Sequence, residues 1–343
     1  MALQEHGFHG AESSLGVSLN GSVDTGSLLE EIRALRTERN AVILAHNYQV
    51  PEIQDVADYV GDSLGLAQAA ARTDADVIVM CGVYFMAETA KILCPDRVVL
   101  IPDRAAGCSL ADSITVGQLR AWKAEHPGAV VVAYVNTSAA VKAESDYCVT
   151  SGNAEEVVRS IPADREILFL PDMFLGAHVE RATGRTMHVW MGECHVHAGI
   201  RPDEIERRRA ADPEVDLLIH PECGCTAQMV WARSGGVIGS TRSFLLSTEK
   251  MLSHARSSPR SRFLVATETG MLHRLRKELP EKSFEAADPG AVCRYMKMIT
   301  PLKLRNTLRD LAPRVEVPGE VASRARVAID RMLAVPATRP SFE

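Results

Sequence analysis

The stretch AVILAHNY at residues 41–48 decides the architecture. Ala41–Ala45 has the length and branching of a strand buried on both faces, and His46, Asn47 and Tyr48 follow it without a break. A buried strand that runs straight into polar side chains is how a parallel sheet with a ligand site at its carboxyl end reads in sequence. The same order returns twice: Ala129–Val135 runs into Tyr134-Val135-Asn136, and Val215–Ile219 into His220-Pro221-Glu222. Each is followed by a helical stretch and a hydroxyl-bearing turn, at Asp62-Ser63, Thr150-Ser151 and Ser240-Thr241. His46, Asn136 and His220 precede the hydroxyl by 17, 15 and 20 residues.

Working outward, second strands are expected at Val77–Met80, Ile167–Leu170 and Phe263–Ala266. Third strands are expected at Val98–Ile101, Met187–Trp190 and, with a weaker pattern, Lys282–Glu285. Behind each third strand stands one cysteine: Cys108, Cys194 and Cys293, separated by 86 and 99 residues. Repetition on this scale sets the whole architecture. The fold reads as α/β, with three pseudo-repeated three-layer αβα domains whose parallel sheets surround a central active site. The expected units are a flexible leader at 1–26 and repeats at 27–106, 107–190 and 191–300. A C-terminal helix over Pro301–Leu333 and a loose tail to residue 343 complete the chain. The segment Arg242–Arg262 looks longer than a compact third repeat requires.

Composition narrows the function. With 343 residues, 46% of them hydrophobic and 24% charged, the chain reads as soluble and globular. Its longest apolar runs are far short of the ~20 residues of a bilayer span. Lys and Arg total 38 against 44 acidic residues, a net charge of −6, so nucleic acid is not an expected partner. The first 26 residues are rich in Gly and Ser and lack the basic and apolar regions of a secretory signal, which reads as a cytoplasmic protein. Eight cysteines are too sparse for a disulfide scaffold and form no CxxC pair, so any metal site must be assembled across distance.

Three cysteines in the same slot of three repeats suit an iron–sulfur cluster with one iron left open as a Lewis acid. Taken singly, each is as readily a buried thiol. Cys223 and Cys225 are the main rivals for metal, Cys81 is a candidate to line the cavity, and Cys94 and Cys148 read as packing. The hydroxyl turns are natural helix N-caps, and helix N-termini also bind phosphate and carboxylate. His46, His197 and His220 stand at strand ends or beside a ligand cysteine, Glu222 shares a loop with His220, and Tyr48 and Tyr134 occupy related positions. An imidazole beside a carboxylate at a cavity makes an acid/base pair, although a lone strand-end histidine is more often structural.

The runs AHNYQVPEIQDVADYVGDSLGLA (45–67), GVYFMAETAKIL, AGCSLAD, YVNTSAAVKAESD, MGECHVH, HPEC and GST occur in an order that closely resembles the quinolinate synthase family of NAD biosynthesis. The resemblance covers residues 40 to 310 and implies three related α/β domains around a [4Fe-4S] cluster with one iron open to substrate. It implies condensation of iminoaspartate with dihydroxyacetone phosphate to quinolinate, releasing phosphate and two waters. Cys108, Cys194 and Cys293 would be the cluster ligands. Glu222, with His220 or Tyr48, would move protons; His46, Ser63, Tyr134, Asn136, Ser151, His197, Ser240 and Thr241 would line the substrate cavity, with His46, His197 and the hydroxyl turns holding phosphate and carboxylates. A transient contact with the L-aspartate oxidase that supplies iminoaspartate is a further expectation. Two other functions fit the residues themselves: a zinc-dependent aldolase or hydro-lyase on a phosphorylated sugar, and a non-catalytic iron–sulfur sensor.

Overall fold

The computed structural model describes residues 25–224 and 242–335. The first repeat runs α1 (Thr25–Glu38), β1 (Ala41–His46), α2 (Pro51–Val56), β2 (Tyr59–Gly61), α3 (Ser63–Arg72), β3 (Val77–Cys81), α4 (Tyr84–Leu93) and β4 (Val98–Leu100). The second runs α5 (Val116–Glu125), β5 (Val130–Tyr134), α6 (Ala139–Lys142), β6 (Tyr147–Val149), α7 (Ala154–Ser160), β7 (Ile167–Leu170), α8 (Met173–Thr183) and β8 (His188–Val189). In the third, α9 (Pro202–Ala211) and β9 (Asp216–Ile219) precede β10 (Ser243–Leu245), α10 (Thr248–Ser257), β11 (Arg262–Ala266), α11 (Met271–Glu278) and β12 (Ser283–Ala286).

Every strand pair is parallel, and the sheets have one order: β2-β1-β3-β4, β6-β5-β7-β8 and β10-β9-β11-β12. The interior strands are buried over most of their length, and VIVMC of β3 and VVVAY of β5 over all of it. Burying each Val, Ile or Leu side chain in this way contributes about 1.5–3 kcal/mol. In this strand order the chain leaves the first strand toward one edge and crosses back to the other side. The crevice at the carboxyl end of the first strand is therefore the switch point where doubly wound sheets bind ligands. His46, Tyr134 and His220 stand at those three ends.

Three expectations need correcting. Each sheet has four strands, because three-residue edge strands β2 and β6 lie just before Asp62-Ser63 and Thr150-Ser151, and β10 follows Ser240-Thr241 in sequence. The segment Arg242–Arg262 is accordingly no insertion, since it carries β10 and α10. The third repeat is longer between its first two strands, which run from 219 to 243 where the others run from 46 to 59 and from 134 to 147. The C-terminal helix is also two helices, α12 (Pro301–Asp310) and α13 (Gly319–Ala334). Leu311 adopts a left-handed φ of 50°, and Pro313 and Pro318 then deny the backbone the donors that a continuous helix needs. Among the described residues no helix is long and apolar enough to cross a membrane.

Candidate active site

One cavity, with about 690 Å³ of empty space partly open to solvent, gathers the carboxyl ends of the three sheets. His46, Tyr48, Ser63, Tyr134, Asn136, Ser151, His197, His220, Glu222, Cys108, Cys194 and Cys293 all line it. Ser240, Thr241 and Cys225 lie outside the described residues. Cys81 is buried in β3 and does not reach the cavity, contrary to its expected place there.

The turn after the first strand is built alike in repeats one and three. Tyr48 N–H donates to His46 Nδ1 at 3.2 Å, and Glu222 N–H donates to His220 Nδ1 at 3.4 Å. An Nδ1 that accepts leaves Nε2 as the protonated nitrogen of a neutral ring. Burial disfavours charge and pushes His46 down to about 3 and His220 down to about 4, so both are neutral donors near pH 7. His220 Nε2 meets Ser151 Oγ at 3.3 Å. In repeat two Tyr134 takes the histidine's slot, and Asn136 follows with an Oδ1 that is buried and has no partner among the described residues.

Glu222 is the centre of the polar network. The Tyr134 hydroxyl donates to its Oε1, and His197 Nδ1 lies 3.0 Å from its Oε2, with the His197 and Glu222 side chains only 2% and 4% exposed. Burial alone would raise the Glu222 carboxyl, but the neighbouring His220 and His197 imidazoles and the Tyr134 hydroxyl outweigh it and hold it low. Burial would likewise lower His197, yet Cys194 and Glu222 hold it above the usual imidazole range. The result is a buried carboxylate–imidazolium pair. His197 Nε2 donates to Thr267 Oγ1 at 2.9 Å, and Thr267 meets the Tyr48 hydroxyl at 2.7 Å. A continuous hydrogen-bonded chain therefore runs from Tyr48 at the cavity wall to Glu222, through Thr267 and His197 and also directly, since the Tyr48 hydroxyl lies 3.4 Å from His197 Nε2. Both ring nitrogens of His197 are engaged within this network, and its ring also lines the cavity.

The three cysteines lie in the loops beyond β4, β8 and β12, none of them in a disulfide. Burial raises all three thiols, Cys108 to about 12, while the neighbouring His197 pulls Cys194 back down in part. Cys194 Sγ lies 3.3 Å from His197 Nδ1. The turn holding Cys293 is pinned by Glu268, fully buried, whose Oε1 accepts the Cys293 N–H at 3.0 Å and pairs with Lys297 at 2.8 Å. One free thiol from each repeat at a single cavity is a donor set that fits a thiolate-bound iron–sulfur cluster.

Strand register locates the hydroxyl turns. His46 pairs with Gly61 and Tyr134 with Val149; Ile219 pairs with Leu245, so His220, one residue on, is level with Leu246, and Ser63 and Ser151, each two residues past its pair, have Thr248 as their counterpart in repeat three. Thr248 lines the cavity and accepts from Asn47 Nδ2 at 2.8 Å. Asp62 caps α3 by accepting the Gly65 N–H at 2.8 Å, and Ser247 caps α10 by accepting the Lys250 N–H. Thr150-Ser151 is not a cap in the same sense, because α7 begins three residues later with Asn153 at its N-cap. Thr248, Thr267 and Glu268 were missed from sequence. A signal existed for the last two, since they stand at the end of a second strand, where Asp172 stands in repeat two.

The family profile described as "Quinolinate synthetase A protein" matches residues 30–334. A quinolinate synthase of Mycobacterium sp. (strain KMS) is 58% identical over 306 residues, covering 89% of this chain and 91% of that protein. A quinolinate synthase of Thermus thermophilus is 56% identical over 309 residues, 90% and 97% of the two chains. That of Mycobacterium tuberculosis (strain H37Ra) is 56% identical over 306 residues, 89% and 88%. Matched along nearly all its described length and more than half identical to these relatives, the chain belongs to the quinolinate synthase A family of enzymes.

Proposed function

We propose that this enzyme serves NAD biosynthesis by condensing iminoaspartate with dihydroxyacetone phosphate to quinolinate, with release of phosphate and two waters. The observation that carries the reading is the convergence of one free thiol per repeat on a cavity that also holds an ionised Glu222 and two neutral imidazoles. Cys108, Cys194 and Cys293 would hold a [4Fe-4S] cluster, which supplies an open iron able to polarise a carboxylate or hydroxyl oxygen. Glu222 takes protons during enolisation and dehydration, because it is held as a carboxylate at the cavity wall. Tyr48 returns them through Thr267 and His197. His46 and His220, neutral with Nε2–H, donate to substrate oxygens. Ser63, Ser151 and Thr248, near the starts of α3, α7 and α10, bind phosphate and carboxylates, with Asn136 adding its unpartnered amide. We place Ser240 and Thr241 at the same substrates, in a cytoplasmic enzyme fed by transient contact with an L-aspartate oxidase.

Anaerobic reconstitution tests this reading. Replacing Cys108, Cys194 or Cys293 by Ala should remove the brown cluster absorbance and lower quinolinate formation by about a thousandfold or more, equal to ~4 kcal/mol of barrier. Persistence of both colour and turnover in any one variant would overturn it. A zinc-dependent reading draws on a different observation: ligand atoms of Cys194, His197 and Glu222 lie within 4.8 Å of one another. Elemental analysis of active protein that finds zinc, and neither iron nor sulfide, would favour it.

A further inference from the structure

The three sheets bring their chemistry to their carboxyl ends, but the second sheet also gathers a ligand-like cluster at its amino end. His126 is the C-cap residue of α5, just ahead of β5. Glu166 immediately precedes β7 and is tied to β5 through its carbonyl, which accepts the Val130 N–H at 2.8 Å. His188 opens β8, where it pairs with Leu168. His188 Nε2 lies 2.8 Å and His126 Nδ1 3.3 Å from the same oxygen, Glu166 Oε1. Donor atoms of all three residues lie within 4.8 Å of one another, and the two imidazole rings are 4.1 Å apart.

We infer that His126, Glu166 and His188 form a surface site for a late first-row divalent cation such as zinc or nickel. Metal bonds of about 2.0–2.2 Å place neighbouring ligand atoms of one ion roughly 3–3.5 Å apart, which His126 and the carboxylate already match at 3.3 Å and His188 approaches at 2.8 Å. Two imidazoles and one carboxylate suit this class of ion, and the half-exposed face leaves room for water to complete the coordination. Neither imidazole touches the cavity, so the site is separate from the catalytic one. Its physical effect follows from what it joins. β8 has only two residues, paired on one side alone, and a bound ion would staple this edge strand to the α5–β5 corner and to β7.

The neighbourhood supplies its own reporter. The Trp122 ring meets the His126 ring edge-on at 6.3 Å, and Trp190 lies 5.5 Å beyond Trp122. Untagged full-length protein titrated with Ni²⁺ should show saturable quenching of tryptophan fluorescence, with a parallel rise of a few degrees in melting temperature under Zn²⁺. His188→Ala, His126→Ala and Glu166→Gln should each weaken the quenching at least tenfold, while Trp122→Phe should shrink its amplitude and leave calorimetric affinity unchanged. Because the cavity thiols also bind metal, the difference between these variants and the parent is the decisive quantity. Absence of saturable quenching in the parent, or variants that titrate like it, would overturn the inference and leave an ordinary shared ion pair.

Discussion

The molecule sets a glutamate between two imidazoles in two places, Glu222 with His197 and His220 in the cavity, and Glu166 with His126 and His188 at the amino end of the second sheet. The residue types are the same and the distances similar. The cavity side chains are at most 6% exposed, whereas His188 and Glu166 are 43% and 49% exposed. Buried, such a cluster has its proton positions fixed by the groups around it, because water cannot compensate a misplaced charge. Exposed, its protons exchange freely, and a cation can take their place. Burial, and not residue identity, separates a cluster whose protons are fixed by its neighbours from one that water reaches.

Breaking the buried cluster should have the largest effect. Glu222→Gln leaves His197 without its counter-charge and the cavity without the base proposed for it. Turnover should fall by roughly 10²–10⁴-fold, and denaturant titration should show a loss of about 3–5 kcal/mol; a variant near parental in both would remove Glu222 from the centre of the network. Cutting the relay is milder. Thr267→Val should lower kcat about tenfold, equal to ~1.4 kcal/mol, with little change in KM, and an unchanged kcat would show that Tyr48 exchanges protons by another route.

Acid should then distinguish the cavity from the surface. His46 and His220 have folded pKa values near 3 and 4, below the 6.5 of an unfolded histidine. As pH falls below 6.5 the unfolded chain takes up protons that the native cavity refuses. Their stabilisation is therefore complete above that pH and is lost down to about pH 4 and then 3, at up to ~1.4 kcal/mol per pH unit for each ring. Urea midpoints measured from pH 7 to 4 should fall less steeply in His46→Gln than in the parent. The smallest effect is expected at the surface: metal-free His188→Ala should change stability by under ~0.5 kcal/mol and leave quinolinate formation untouched, so a large loss would mean that this pair holds the sheet without any ion.

The sequence reading reached the interior strands because β1, β3, β5, β7 and β9 are short apolar runs buried on both faces, a pattern that survives without knowledge of their neighbours. It missed β2, β6 and β10 because three residues paired along one side need no such pattern; Tyr59, at the start of β2, is 38% exposed. Most of the cavity was legible as well, since His46, Tyr134 and His220 are continuous in sequence with the strands that aim them. Thr267 and Thr248 were not. Their roles come from contacts with Tyr48 and Asn47, each more than two hundred residues away, and a threonine carries no spacing signal of its own. The helical character after Pro301 was legible, but its division into two helices depended on where one backbone angle turned positive at Leu311.

The last helix has a consequence for how the protein is made. α13 lies over α4, α6 and β6, and the Asn153 amide Nδ2 donates to the Met332 carbonyl at 3.0 Å, so this helix clasps repeats one and two together. During translation Cys108 and Cys194 leave the ribosome well before the clasp exists. A growing chain therefore carries two soft donors before the helix that joins their repeats has been made, and synthesis of that helix, not the folding of either repeat alone, brings both under one fastener.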